Sequence, residues 1–168
     1  MKSLLHRFMN SIYIICLIYA FIYSLISIVP HFNYQTNAWD LGIFNQTLWQ
    51  YSRLRIAPNT IRHVSTLLAD HFEVTLFLLA PFYWIFGTYT LLVVQITATI
   101  LGGIGIYKFA YLLSKNEKFS KIALITFYSF YGIFTALAFD YHHSVVGIMT
   151  LPWIMFFLRK RRIKLYYL

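Results

Sequence analysis

The feature that most constrains this chain is the length of its uncharged apolar runs. Residues 8–29 carry no charged side chain, and neither do residues 74–107. A helix rises 1.5 Å per residue, so about 20 apolar residues cross the roughly 30 Å of a bilayer's hydrocarbon. The first run suits one crossing. The second would be about 50 Å long as a single straight helix, too long for one span, and Pro81 and Gly87 divide it. With 60% apolar residues and only 11% charged, against about a quarter charged in ordinary globular chains, the sequence predicts an all-α membrane protein.

The first run follows Lys2 and Arg7 and is closed by Pro30. A cleaved leader needs a shorter apolar core and small residues before the cut, so a retained helix with a cytoplasmic N-terminus is the better reading. Charge then sets the remaining topology. Lys108, Lys115, Lys118 and Lys121 surround one loop, and Arg159 to Arg162 with Lys164 follow the last apolar run. One crossing between Asp70 and Ser114 places both clusters inside the cell with the N-terminus, as the positive-inside rule asks, whereas two would place both outside.

The expected architecture is therefore about four transmembrane helices in a single polytopic domain: 8–29, 89–113, 119–139 and 143–158, the last one short. A long first outer loop, 30–88, holds juxtamembrane helices at about 38–52 and 71–86, the second interfacial or re-entrant, and a basic cytoplasmic tail covers 159–168. Leu41, Phe44, Leu48 and Tyr51 recur at helical spacing in the first of these, with Trp39 and Trp49 at headgroup depth. Thr99 with Gly103, and Ala98 with Gly102, form small-xxx-small pairs that read as helix packing. Cys16, the one cysteine, reads as a small buried hydrophobe, excluding an intrachain disulfide or a cysteine metal site. The basic residues cluster at the ends of apolar runs, which points to membrane orientation and away from nucleic acid.

This topology gathers Asp40, Asp70, Glu73 and Asp140 on the outer side, together with His31, His63, His71, His142 and His143. Ionisable groups that converge at a membrane surface mark function. Each acid also has a local reading as a helix cap: Asp40 three residues after an Asn37 N-cap, Asp70 with Glu73 as a capping box, and Asp140 at the start of the final helix. Asp140, His142 and His143 are metal-ligand candidates. Adjacent histidines on a helix point about 100° apart, so both would bind one ion only from a non-helical turn.

The motifs 39–46 (Trp-Asp-Leu-Gly-Ile-Phe-Asn-Gln), Asp70-His71-Phe72 followed by Leu79-Ala80-Pro81, Leu91 to Gln95, and Phe139-Asp140-Tyr141-His142 resemble a prokaryotic family of predicted membrane proteins, domain of unknown function 2079. The resemblance runs from about residue 36 to 158. Tyr141 stands where that family is expected to favour Phe. The family in turn resembles the GT-C glycosyltransferases, which move a sugar from a polyprenyl-phosphate carrier at the outer membrane face, with a catalytic acid in the first outer loop.

That resemblance implies a plasma-membrane enzyme module in which Asp40 is the catalytic base. Gln46, Arg53, Arg55, Asp70 and His71 would bind substrate or phosphate, with Arg62 a further phosphate partner. Asp140, His142 and His143 would hold a divalent metal, the one cofactor considered. The arginines have an alternative reading as lipid-headgroup contacts. The implied partners are membrane lipid and a polyprenyl-phosphate sugar donor. Members of both groups are longer than this chain, so a truncated module, with a second chain supplying missing helices, is expected. The rival class is a non-enzymatic membrane subunit or a transporter fragment. Midplane polar sites characterise transporters, and the middles of these crossings offer nothing more polar than Ser, Thr, Tyr and Gly, with Gln95 near the outer end of its span and no intramembrane charge, which lowers the transport reading. No HExxH or GxSxG pattern is present, which disfavours a zinc protease or serine hydrolase.

Overall fold

The computed structural model describes residues 2–160, with side chains from Ser11 onward. The part of the expected basic tail beyond Lys160, and the side chains of Lys2 and Arg7, lie outside the described residues. The described chain is all-helical, its only strand-like pairing being one bridge between Asn59 and Val64. Three helical stretches are long and apolar enough to cross a membrane: Ser11–Phe32, Thr75–Ser114 and Glu117–Ala138. His143–Arg159 is apolar but shorter.

Helix α1 (Lys2–Phe32) runs two residues past Pro30. A turn of π-helix, Ala38–Gly42, leads into α2 (Ile43–Ser52). The amphipathic pattern read from the sequence is realised here. Leu41, Phe44, Leu48 and Tyr51 are all buried, while Trp39 and Trp49 stay exposed.

Beyond α2 the apolar run starts with two short helices, α3 (Thr75–Leu79) and α4 (Tyr83–Phe86), joined by a 3-10 turn at Ala80–Phe82. Pro81 sits in that turn, and Gly87 follows α4 at φ 55°, a backbone that favours glycine. The pair packs on α2. His71 lies edge-on to Phe44, Phe77 stacks on Tyr51 at 3.9 Å, and Trp84 Nε1 donates to the Ser52 carbonyl at 3.0 Å. The Thr88 carbonyl then accepts from Asn45 Nδ2 at 2.9 Å. Both ends of this segment therefore meet the same turn of α2.

Helix α5 (Thr90–Ser114) is the central rod. It packs against α1, α6 (Glu117–Tyr128), α7 (Tyr131–Ala138), α8 (His143–Ile148) and α9 (Leu151–Arg159). Its glycines permit these approaches. A Cβ on Gly103 would collide with the buried Tyr128 ring, one on Gly102 would lie 2.9 Å from Met149 Sδ, and one on Gly105 2.9 Å from Pro152 Cβ. Small residues are what close helix contact in a membrane requires. Cys16 is buried in the same core, 3.5 Å from the Tyr128 hydroxyl.

The third and fourth apolar segments, expected as continuous rods, are each broken. The Tyr23 hydroxyl donates to the Tyr128 carbonyl at 2.7 Å, and Tyr19 and Ser129 share a hydrogen bond, so side chains of α1 enter the ladder where α6 gives way to α7. Pro152 opens α9 and cannot continue α8, because it lacks an N–H and its ring crowds the preceding turn. The short loop between α5 and α6 is capped on both sides. Lys115 ends α5 in the left-handed region at φ 53°, and the Asn116 side chain accepts from Phe119 N–H at 3.0 Å.

These connections sort the molecule into two ends. At one end lie the C-terminus of α1, α2 with α3 and α4 packed on it, the N-terminus of α5 and the α7–α8 turn. At the other lie the α5–α6 loop and the C-terminus of α9.

Candidate functional site at the acidic end of the bundle

Three distant segments meet at the first end. The backbone N–H of Asn37 donates to Asp140 Oδ2 at 2.7 Å. Asp140 itself sits in the left-handed region at φ 60°, a conformation that a short polar side chain tolerates better than most, and is only 5% exposed. Fully buried Gln95, one turn into α5, holds the bend in place. Its Nε2 donates to the Asp140 carbonyl at 2.9 Å and to the Ala136 carbonyl at 3.3 Å, and its Oε1 accepts from His142 N–H at 2.7 Å. One amide thus satisfies backbone groups that the end of α7 leaves open.

The bend presents two histidines in different directions. His142 Nε2 lies 3.8 Å from Asp40 Oδ1, and His143 Nδ1 lies 3.9 Å from Glu73 Oε2. Asp70 is clasped by Arg62 through two hydrogen bonds, Nε at 2.8 Å and Nη2 at 3.0 Å, and by His71 Nδ1 at 2.8 Å. These partners hold its carboxyl at about 2, below its ordinary 3.8, with the Arg62 hydrogen bond the largest cause. Phe44 is the hub between the two sets. His71, Tyr141 and His143 pack edge-on around its ring at 6.0, 5.5 and 5.5 Å. Burial pushes the Tyr141 phenol well above its usual range. Beside the cluster, His31 bonds Thr36 and Thr88 at 2.9 and 3.0 Å, next to a cavity of about 750 Å³ lined also by Asn33 and Tyr89.

Of the local capping readings, the one at Asn37 holds in position, since Asn37 is the N-cap of the π-helical turn with Asp40 three residues on, although its side chain makes no cap bond. The readings of Asp70 with Glu73 and of Asp140 do not hold, because the N-caps there are Val74 and His142. Asp70 faces Arg62, Asp140 faces Asn37 across the bundle, and Glu73 accepts from Thr75 Oγ1. Asp40, with its side chain 31% exposed, remains accessible.

The expected substrate-binding residues divide. Asp70 and His71 join the cluster. Gln46 exchanges hydrogen bonds with Thr60 and so pins the next loop. Arg53 lies beyond the opposite end of α2, its guanidinium 4.6 Å from the Trp49 ring centroid and 5.1 Å from that of Trp84, and exposed Arg55 follows it. The arginine that does reach the acids is Arg62, which also overlies Trp39 at 5.6 Å. The metal set does not fit either. His142 is non-helical, as shared ligation requires, yet Asp140, His142 and His143 each face a different partner. Among the described residues no three His, Cys, Asp or Glu side chains gather to hold a metal ion.

Sequence reasoning missed the clasp made by Gln95. Its signal was present, since a lone amide in an otherwise apolar helix must find partners. The Asn37 contact had no such signal, because it uses only a backbone N–H.

Residues 30–168 match the model of a family described as "Predicted membrane protein (DUF2079)". No curated protein and no solved structure matches the chain.

Proposed function

The chain belongs to the DUF2079 family of predicted membrane proteins, and from that membership we propose that it is a sugar-transfer module acting on a lipid-phosphate carrier. The observation that carries this reading is the pairing of accessible Asp40 with His142 at 3.8 Å, within a cluster where the other nearby acids are already clasped or buried. The resemblance of the family to GT-C enzymes supports it independently.

Asp40 is the general base. It takes the proton of an acceptor hydroxyl as that oxygen bonds to the sugar C1, while the bond from C1 to the phosphate oxygen breaks and the phosphate leaves on its lipid. His142 holds the Asp40 carboxylate in place. Arg62, beyond the two N–H groups it gives to Asp70, and the histidines at 71 and 143 offer the N–H donors that a departing phosphate needs. The cavity beside His31 gives room and hydroxyl partners for the sugar. The lysines at the far end of the bundle support, through the positive-inside rule, a reading in which the N-terminus is cytoplasmic and this site faces the extracytoplasmic side of the plasma membrane.

The test uses the full chain in lipid vesicles with a polyprenyl-phosphate-linked radiolabelled hexose, and reads release of labelled sugar. Asp40→Asn is expected to slow release at least a hundredfold, about what loss of a general base costs, with donor retention unchanged. No release by the unaltered chain, or equal rates for both, contradicts the proposal and favours a non-enzymatic membrane subunit.

A further inference from the structure

At the opposite end of the bundle a second cavity, of about 570 Å³, opens between the C-terminal turns of α5 and α9 and the loop into α6. Lys108, Lys115 and Lys160 line it, with Glu117 the one acid among the lining residues. Its walls are apolar and aromatic, from Tyr111, Leu112 and Phe156.

The lysines are placed by the fold as well as by the sequence. Lys115 is held there because it closes α5 in the left-handed conformation, at φ 53°. Lys108 Nζ lies 5.8 Å from the Trp153 ring, and Lys160 Nζ lies 5.4 Å from that of Phe156. Both amines thus rest against aromatic faces, and the Phe156 ring is also part of the cavity lining. The sequence adds Arg159 before Lys160, and Arg161, Arg162 and Lys164 after it.

We propose that this cavity is a binding site for an anionic glycerophospholipid of the surrounding leaflet. A basic pocket between membrane helices with an apolar floor matches such a lipid in two ways. The phosphate and its acidic headgroup meet the lysines, and the acyl chains continue along the apolar wall toward the bilayer. A free anion would use only the first of these, and a zwitterionic lipid would gain little from three cations opposed by one acid. The site is distinct from the acid and histidine cluster and does not depend on its chemistry.

Native mass spectrometry of the detergent-solubilised full chain, titrated with phosphatidylglycerol, phosphatidylcholine or inorganic phosphate, tests the proposal. Phosphatidylglycerol is expected to be retained in preference to the other two. Lys108→Gln and Lys160→Gln should each weaken its retention about fivefold, whereas Lys118→Gln, outside the cavity, should leave it unchanged. Equal retention of phosphatidylcholine, equal binding of inorganic phosphate, or cavity variants that match the unaltered chain would each overturn it. The comparison of ligands on the unaltered chain decides the matter even if a variant folds poorly.

Discussion

At one end of the bundle Asp40, Asp70, Glu73 and Asp140 each face a histidine, an arginine or a backbone N–H from another segment, while at the other end three lysines line one cavity with a single acid. The acidic end is fixed by directional bonds. Asp140, Gln95 and Arg62 make six of them, each between 2.7 and 3.3 Å. The basic end has capping bonds at Asn116, but two of its lysines, Lys108 and Lys160, are held by resting on rings. Directional bonds hold groups in a geometry that chemistry can use, whereas charge over an aromatic wall suits a ligand that needs only sign and shape. The two proposals follow this contrast, with sugar transfer proposed at the first end and lipid binding at the second.

The largest effect that sharpens this contrast is expected from Gln95→Leu. The Asp140 and Ala136 carbonyls and the His142 N–H would all lose their partner inside the bundle. Unsatisfied buried groups cost about 1–3 kcal/mol each, so a loss of about 3 kcal/mol is expected overall. Lys108→Gln at the other end should cost at most about 1 kcal/mol. Thermal unfolding in detergent, followed by intrinsic fluorescence, compares the two. Similar losses would mean that the ends are held in the same way.

A smaller effect is expected on acidification. The Asp70 carboxyl is lowered in the folded chain, so its clasp contributes fully above the ordinary value of 3.8 and is lost as pH falls through about 2. Pepsin remains active over that range. Its cleavage between residues 62 and 71 should stay slow near pH 4 and rise toward pH 2, while Asp70→Asn should be cut readily throughout. Cleavage that is insensitive to both would show that Arg62 and Asp70 do not order the loop.

Much of this fold was legible because its determinants are local. The stripe of Leu41, Phe44, Leu48 and Tyr51 specified α2, and Pro81 and Gly87 specified the breaks before α5. The grouping of acids and histidines at one end followed from lysine placement and the positive-inside rule. What was not legible depends on partners far away in sequence. The break between α6 and α7 arises where Tyr23 and Tyr19 of α1 enter, and the period of α6 gives no sign of it. The choice of Arg62 over Arg53 and Arg55 follows from the loop pinned by Gln46 and Thr60, which swings residue 62 back over Trp39. The metal set failed for a similar reason. Sequence adjacency put His142 and His143 together, but Asp40 and Glu73 draw them apart.

The central claim is that the first-loop acid and the bend before α8 share one end of the bundle, away from the lysines. Cross-linking tests it most directly. With Cys16→Ser as background, Asp40→Cys can be paired with His142→Cys or with Lys115→Cys, and each pair treated in membranes with a short bifunctional thiol reagent. The account predicts an intrachain bridge for the 40/142 pair and none for the 40/115 pair. A bridge between 40 and 115, with none between 40 and 142, would contradict it.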